Sequence, residues 1–378
     1  MSRRRALWSM LLVAFAAAGC QPDEGYEWRL PFGFPEPRVP SDNPMSEAKV
    51  ELGRHLFYDP RLSGNETQSC ASCHVQELAF TDGLPVSVGS TGDHTPRGAM
   101  SLANVGYAAT LTWASPVLRH LEDQALVPMF GEEPVELGLS GREEELIERL
   151  RAEPRYQELF PAAFPRDDDP FTVGNIVRAL GAWQRTLLSG RSAYDRFVAG
   201  DADAIGESAR RGAAIFFGED ADCFHCHGGF AFASAVDHVG NVFDQATFAN
   251  NGLYDVDGRG AYPPGNQGLY EFTGELEDMG KFKPPTLRNI TVTAPYMHDG
   301  SVATLDEVLA IYAAGGRNIL DGPNAGDGRT NPHKSLLVNG FELTDQVRAD
   351  LLAFLESLRD EEFLTNPAFG DPWIEPWP

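Results

Sequence analysis

Positive charge is what this 378-residue chain lacks: 30 Lys and Arg stand against 55 Asp and Glu, a net charge of −25. Nucleic-acid binders cluster Lys and Arg against phosphates, so this balance argues against that class. It also argues against charge-driven binding to anionic membranes, and it permits docking with a basic protein. Cysteine is sparse as well. Five in 378 residues are too few for a disulfide scaffold. Beyond the N-terminus no apolar run reaches the ~18 residues that span a bilayer. Strand-like alternation is scarce, and there is no solenoid-length repeat or low-complexity tract. What is present is 42% hydrophobic residues, enough for a packed core. At ~150 residues per domain the length suggests two domains.

Residues 1–19 read as an export signal. Arg3, Arg4 and Arg5 precede the largely apolar stretch Ala6–Ala18, which is too short for a transmembrane helix. The segment ends Ala17-Ala18-Gly19-Cys20, which resembles a bacterial lipobox and implies cleavage before Cys20 and acylation of its sulfur. The expected location is therefore periplasmic, with the membrane met only through a lipid anchor. Pro22, Pro31, Pro35, Pro37, Pro40 and Pro44 make residues 20–45 an extended tether, with globular structure expected from about Ser46.

Further along, helical patterns dominate. Ser140-Gly-Arg-Glu143 reads as a capping box before Leu146, Ile147 and Leu150, and Thr304-Leu-Asp-Glu307 as another. Ile176, Leu180, Trp183 and Leu187 recur at helical spacing, and Val347, Leu351, Leu352, Leu355 and Leu358 mark a last amphipathic helix. The stretch from Phe230 to Pro285 is rich in Gly, Asn and Pro and reads as long irregular loop, which usually serves function or wraps something. The fold class is mostly α, with long ordered loops.

One feature occurs twice. Cys70-Ala-Ser-Cys73-His74 and Cys223-Phe-His-Cys226-His227 both fit c-type haem attachment. Two thiols must reach the two vinyl groups on one porphyrin edge, and the next His must present its imidazole to the iron. A short helical turn puts all three on one side. A zinc ribbon spaces its pairs ~15–20 residues apart, whereas these start 153 positions apart, and zinc leaves each following His unexplained. A redox dithiol needs a βαβ setting that this chain lacks. His225 is polar filler near the haem edge. With Cys20, the two pairs account for all five cysteines.

Around these motifs the chain resembles the bacterial di-haem cytochrome c peroxidase/MauG superfamily over most of residues 46–360. The carrying stretches are Leu52–Ser63, Leu121–Ala125, Pro134–Gly138, Phe282–Asn289 and Thr293–Gly300. Thr112–Pro116 and Gln124–Leu139 look most like the MbnH-like branch, whose members modify a tryptophan on a partner protein. The resemblance implies two cytochrome c-like haem domains: an N-terminal peroxidatic one at 46–200 and a C-terminal electron-transfer one at 201–340, followed by a helix and tail at 341–378. It implies that His74 is the proximal ligand of an open haem, with Gln124, Pro128 and Glu136 in the distal pocket. Glu136 would move a proton between the peroxide oxygens, Gln124 would orient the peroxide, and Pro128 would keep protein ligands off the sixth site. Gln124 and Glu136 are 12 apart, two more than the family spacing, so Glu132 and Glu133 stand as alternatives.

For the second haem the resemblance gives His227 as proximal ligand and Tyr312 as distal ligand, with Met297 and Met279 as rivals. A phenolate is hard and favours oxidised iron, where a thioether favours Fe(II). Trp113 aligns with the tryptophan between the two haems, a relay for charge. Gly98 stands where the family has an Asn that binds an interhaem Ca²⁺; the carbonyls of Thr293 and Pro295 remain for such an ion, in a site that is weakened or lost. Asn104 aligns with a different family position. The gating His of many cytochrome c peroxidases is replaced at about Ser90, and His94 does not match it. His298 is expected near a propionate or the haem interface, whereas His55, His120, His238 and His333 have no assigned role.

The implied function is a di-haem c-type oxidoreductase in which H2O2 forms a high-valent di-haem state that oxidises a side chain, expected to be Trp, on a small secreted protein. The alternatives are a cytochrome c peroxidase fed by a small redox protein and a non-catalytic di-haem electron carrier.

Overall fold

In a computed structural model of the chain, residues 26–243 and 246–374 are described. The expected export signal and Cys20 lie outside them. Among the described residues no helix is long and apolar enough to cross a membrane.

The fold is mostly helical. In chain order the helices are α1 (Glu47–Tyr58), α2 (Leu121–Phe130), α3 (Glu143–Arg151), α4 (Pro154–Ala163), α5 (Val173–Gln184), α6 (Ala193–Val198), α7 (Glu207–Phe216), α8 (Cys223–His227), α9 (Tyr270–Thr273), α10 (Leu305–Ala313), α11 (Asp345–Glu356) and α12 (Glu361–Thr365). The one sheet among the described residues is two short antiparallel strands, β1 (Asn318–Ile319) and β2 (Gly326–Asp327), with Asn318 opposite Asp327.

Two helix pairs organise the chain, one near each Cys-x-x-Cys-His motif. Helix α1 starts at Ser46, whose hydroxyl accepts from the Lys49 amide, and buries Leu52 and Leu56, four apart on one face. It crosses α5 so closely that a Cβ at Gly53 would lie 2.0 Å from the Ala179 carbonyl oxygen. Helix α7 crosses α11 in the same way, with a Cβ at Gly212 falling 1.9 Å from the Asp350 oxygen. Each contact needs glycine, because backbone meets backbone. The first pair sits in a core with Phe57, Phe80, Tyr156, Phe160 and Trp183, the second in one with Phe216, Phe232, Leu351 and Phe354.

Among its described residues the loop between Phe230 and Pro285 contains only α9 and a short 3-10 turn, yet it has its own core of Leu253, Tyr254, Tyr262, Met279 and Phe282. Buried Asn250 ties it together: its amide donates to the Met279 carbonyl, and its oxygen accepts from the Gly252 amide and the Tyr262 hydroxyl.

Two local expectations need correction. Residues 26–45 are extended but do not hang free. Phe34 is buried against Tyr107, Arg38 pairs with Asp237 at 2.8 Å, and Asn43 donates to Glu122. At α3 the capping box is absent: Arg142 is the cap residue, and the Ser140 hydroxyl donates to Glu132 instead. The C-terminal tail, whose packing the sequence left open, runs to the first pair. Phe363 and Leu364 of α12 enter the first core, the Gln76 amide donates to the Phe363 and Asn366 carbonyls, and the Trp373 indole donates to the His55 carbonyl. The capping box at Thr304–Glu307 is formed as expected.

Candidate active site

Each Cys-x-x-Cys-His motif lies on a short helical turn, Cys70–Ser72 in the first and α8 in the second, and none of its thiols is in a disulfide. Nδ1 of His74 donates to the Phe80 carbonyl at 2.6 Å, and Nδ1 of His227 donates to the Pro285 carbonyl at 3.0 Å. Those bonds fix both rings and leave Nε2 as the nitrogen for a metal. Burial lowers the His74 imidazole and pushes that of His227 down to about 4, so both rings are neutral, the form that ligates iron. The thiols move the other way. Burial pushes Cys70 and Cys223 up to about 12 and Cys73 to about 11. A redox dithiol needs a depressed pKa, so these pairs are poor dithiol catalysts. Paired thiols beside an oriented neutral imidazole fit a covalently held haem at each motif.

A cavity of about 580 Å³ adjoins the first motif. It collects Cys70, Cys73 and His74 together with Gln124, Pro128, Glu136 and Trp113. Gln124 and Pro128 are four apart on α2 and so share a face. Helix α2 is fixed by the pair of Glu122 with buried Arg185, at 2.7 and 2.8 Å. Burial acts to raise the Glu122 carboxyl, but the Arg185 hydrogen bonds and charge, with Asn43, hold it below the usual carboxylate range.

Backbone bonds bring Glu136 to the same place despite its longer spacing. The Leu137 amide donates to the Pro128 carbonyl at 2.9 Å, and the Glu136 carbonyl accepts from Ser90 at 2.7 Å. Burial pushes the Glu136 carboxyl above its ordinary value. Of the two alternatives, Glu132 is exposed and accepts from Ser140, while Glu133 is exposed at the cavity edge. Ser90 and His94 belong to a hairpin docked on this segment, bridged between Val88 and His94, and neither lines the cavity.

Trp113 lines this cavity and a second, smaller one of about 70 Å³. Its indole donates to the Gly98 carbonyl at 2.8 Å, and its own carbonyl accepts from the Lys283 amide at 2.8 Å. The small cavity is also lined by Gly98, Asp82, Thr293 and Pro295. A Cβ at Gly98 would come 3.0 Å from the Pro85 oxygen, so the larger side chain of the family pattern would require that loop to move. Asn104 is elsewhere, its amide bonded to the Ser189 carbonyl.

Tyr312 sits on α10 near the second motif. Burial pushes its phenol up to about 12, the Asn251 amide pulls the other way, and the Cys226 and Cys223 thiols add to the rise. The same Asn251 amide lies 3.4 Å from the Met297 sulfur, so Tyr312 and Met297 flank one residue. Met279 is buried in the loop core with Leu253 and Tyr262.

Sequence reasoning overlooked Lys283. It is buried, lines the large cavity, and donates to the Thr110 carbonyl at 2.8 Å; burial lowers its ammonium to about 8. Its signal was its place in the Phe282–Asn289 block. His298 is buried and stacked on Phe282, with ring centroids 3.7 Å apart; it lines neither cavity, and its Nε2 has no partner among the described residues. His225 is exposed and faces Asp222 and Glu219 at 3.4 and 3.6 Å.

Comparison with known proteins agrees with this geometry. The family described as di-haem cytochrome c peroxidase matches residues 47–203. The methylamine utilization protein MauG of Methylorubrum extorquens is 35% identical over 88% of this chain and 84% of its own. The cytochrome-c peroxidase IdrP1 of Denitromonas iodatirespirans is 34% identical over 98% and 96%. A crystal structure of a MauG-like protein associated with microbial copper homeostasis superposes with a TM-score of 0.91 at 52% identity, covering 92% of this chain and 100% of that one. This chain therefore belongs to the di-haem cytochrome c peroxidase/MauG family and is a c-type di-haem oxidoreductase of that kind.

Proposed function

We propose that this enzyme uses H2O2 at the His74 cavity to oxidise, at long range, a tryptophan on a small secreted protein. The observation that carries the reading is the Tyr312 phenol beside the Cys223–His227 motif. Without a metal this phenol keeps its proton; were it to give that proton up on binding one, it would be a hard anionic donor and would favour a metal held oxidised, where the Met of an electron-accepting peroxidase favours it reduced.

Bound at the two motifs, the haems supply the two-electron reduction of peroxide and hold the oxidising equivalents. His74 and His227 would ligate the irons through Nε2, and the four thiols would anchor the rings. Glu136 would hold the proton as it passes from one peroxide oxygen to the other, the transfer that lets the O–O bond break with release of one water. A carboxyl raised by burial is closer to the operating pH and better matched to both halves of that transfer. Gln124, on the same helix face as Pro128, orients the peroxide. Pro128 offers no N–H and no side-chain ligand atom to the cavity. Trp113 lines the His74 cavity, and its carbonyl accepts from Lys283, two residues before the Pro285 carbonyl that holds His227; from there it would relay charge between the sites.

The partner meets the enzyme at its surface, since a cavity of about 580 Å³ holds a small molecule and not a protein. A net charge of −25 suits a basic partner. The copper-homeostasis setting of the similar structure points to a secreted copper-handling protein as the place to look. The expected setting is periplasmic, with Cys20 acylated. A Ca²⁺ between the haems would be held by the Thr293 and Pro295 carbonyls, with the Asp82 carboxylate as an oxygen donor where Gly98 offers no side chain.

The test is to add H2O2 to the fully oxidised holoenzyme and follow its absorption. An immediate response, followed by a mass change on a tryptophan-containing secreted partner, supports the reading. A response only after half-reduction, with a small reduced cytochrome consumed, makes it an ordinary cytochrome c peroxidase. Two low-spin irons inert to peroxide make it a carrier.

A further inference from the structure

A line of rings leads from His74 to the protein surface by residues that the proposed relay does not use. Phe57, which lines the large cavity, has its ring centroid 6.3 Å from that of His74 and 4.3 Å from that of Trp183. Phe80, whose carbonyl holds His74, makes an edge-to-face contact with Trp183 at 5.9 Å. Trp183 is 1% exposed and lies 6.0 Å from the ring of Tyr58. Tyr58 is half-buried, and its hydroxyl donates to the Phe369 carbonyl at 2.6 Å. Indole and phenol lose an electron to peroxide-level oxidants, whereas the benzene rings of Phe57 and Phe80 do not. The two phenylalanines are therefore packing between His74 and two oxidisable groups, the second of which reaches solvent.

We propose that Trp183 and Tyr58 form a discharge route that makes Tyr58 a site of self-oxidation when peroxide arrives and no partner is present. The proposal rests on the peroxide reading of the His74 cavity. Trp183 passes one electron at a time toward the cavity and is refilled from Tyr58. Each electron lost by Tyr58 is accompanied by a proton that leaves this half-buried side chain for water. Two such losses and one water convert a ring C–H into C–OH. The electrons reduce one H2O2, breaking its O–O bond, so the sum is tyrosine plus H2O2 giving a catechol plus water. Packing alone also accounts for aromatic contacts, but it does not single out one tyrosine for oxidation. Tyr156 is the internal control: it is buried, donates to Asp59, and touches Trp373 and Phe160 but not Trp183.

The holoenzyme is treated with H2O2 without partner, its absorption is recorded, and its peptides are mapped by tandem mass spectrometry. The Tyr58 peptide is expected to gain one oxygen atom while the Tyr156 peptide does not, and Trp183→Phe is expected to lose that product. Because Trp183 is a core residue, Tyr58→Phe provides a second arm that keeps the ring and its packing. There the optical species formed with peroxide is expected to outlive that of the wild type. An optical response with Tyr58 unmodified, or an equal yield in Trp183→Phe, overturns the route and leaves the peroxide reading intact. No optical response at all overturns both.

Discussion

Glu136→Gln is the sharpest probe of the proposed peroxide chemistry, because it removes a proton carrier and keeps the side chain's size. A positioned acid–base group contributes about 10²–10⁴-fold to rate, which is about 2.7–5.4 kcal/mol of barrier. Stopped-flow mixing with H2O2 reads that loss directly. The pH profile supplies the second signature. Glu136 must start ionised to take the first proton, and burial lifts its carboxyl, so the wild-type rate should fall on the acid side at an inflection above the ordinary carboxylate value. The Gln variant should be slow and lack that inflection. Stability moves independently. A carboxyl whose folded pKa is raised costs stability where it is ionised, and the cost fades as pH falls toward the unfolded value. Glu136→Gln should therefore melt no lower than the wild type at neutral pH. A wild-type peroxide rate in Glu136→Gln, or an equal loss in Glu133→Gln, would refute the assignment.

Tyr312→Met exchanges a hard oxygen for a soft thioether and should raise the midpoint potential of the His227 site in a spectroelectrochemical titration; no change removes Tyr312 as ligand and leaves Met297. Trp113→Phe keeps a ring but loses the bond to the Gly98 carbonyl, and should slow the optical response of the second site while leaving the first encounter with peroxide unchanged. Arg185→Ala strands the Glu122 carboxylate in a largely buried pair and should cost about 3–5 kcal/mol in denaturant unfolding. In the wild type the Glu122 carboxyl is depressed, so the pair's contribution is present above the unfolded carboxylate pKa and is lost as pH falls through the folded one. Chelation with EGTA should perturb the spectra only if the cavity at Asp82, Thr293 and Pro295 holds Ca²⁺, and Asp82→Ala should abolish that response.

What the sequence makes legible is what is local. Cys70–His74 and Cys223–His227 carry their chemistry in five residues each, and Thr304 with Glu307 caps α10 through bonds three positions apart. Ser140 shows where local reasoning ends: the same Ser-x-x-Glu pattern fails because Glu132 competes for its hydroxyl. The prolines of residues 31–44 fix an extended shape but say nothing of what it lies on, and Phe34 finds Tyr107 and Phe230. Nothing near Lys283 announces that its ammonium meets a carbonyl 173 positions away. Glu136 was placed through a family pattern, and two hydrogen bonds to distant backbone explain how its longer spacing is absorbed.

The Phe282–Asn289 block shows why family resemblance could be read from stretches that carry no reacting group. Lys283 donates its amide to Trp113, and two residues later Pro285 accepts from His227. Thr286 then donates to Ala231, Arg288 forks onto Asp195 at 2.8 and 2.9 Å, and Asn289 accepts from the Asp360 amide. One short run therefore fixes the backbone of the proposed relay and the ring of the proposed second ligand. Pro284 and Pro285 stiffen the link between those two bonds by locking φ. Trp113 and the second motif are thus tied to each other through three consecutive residues. Charge transfer falls steeply with distance, so a structure that relays charge needs such a rigid link, and a pair of independent electron carriers joined by a loop would not.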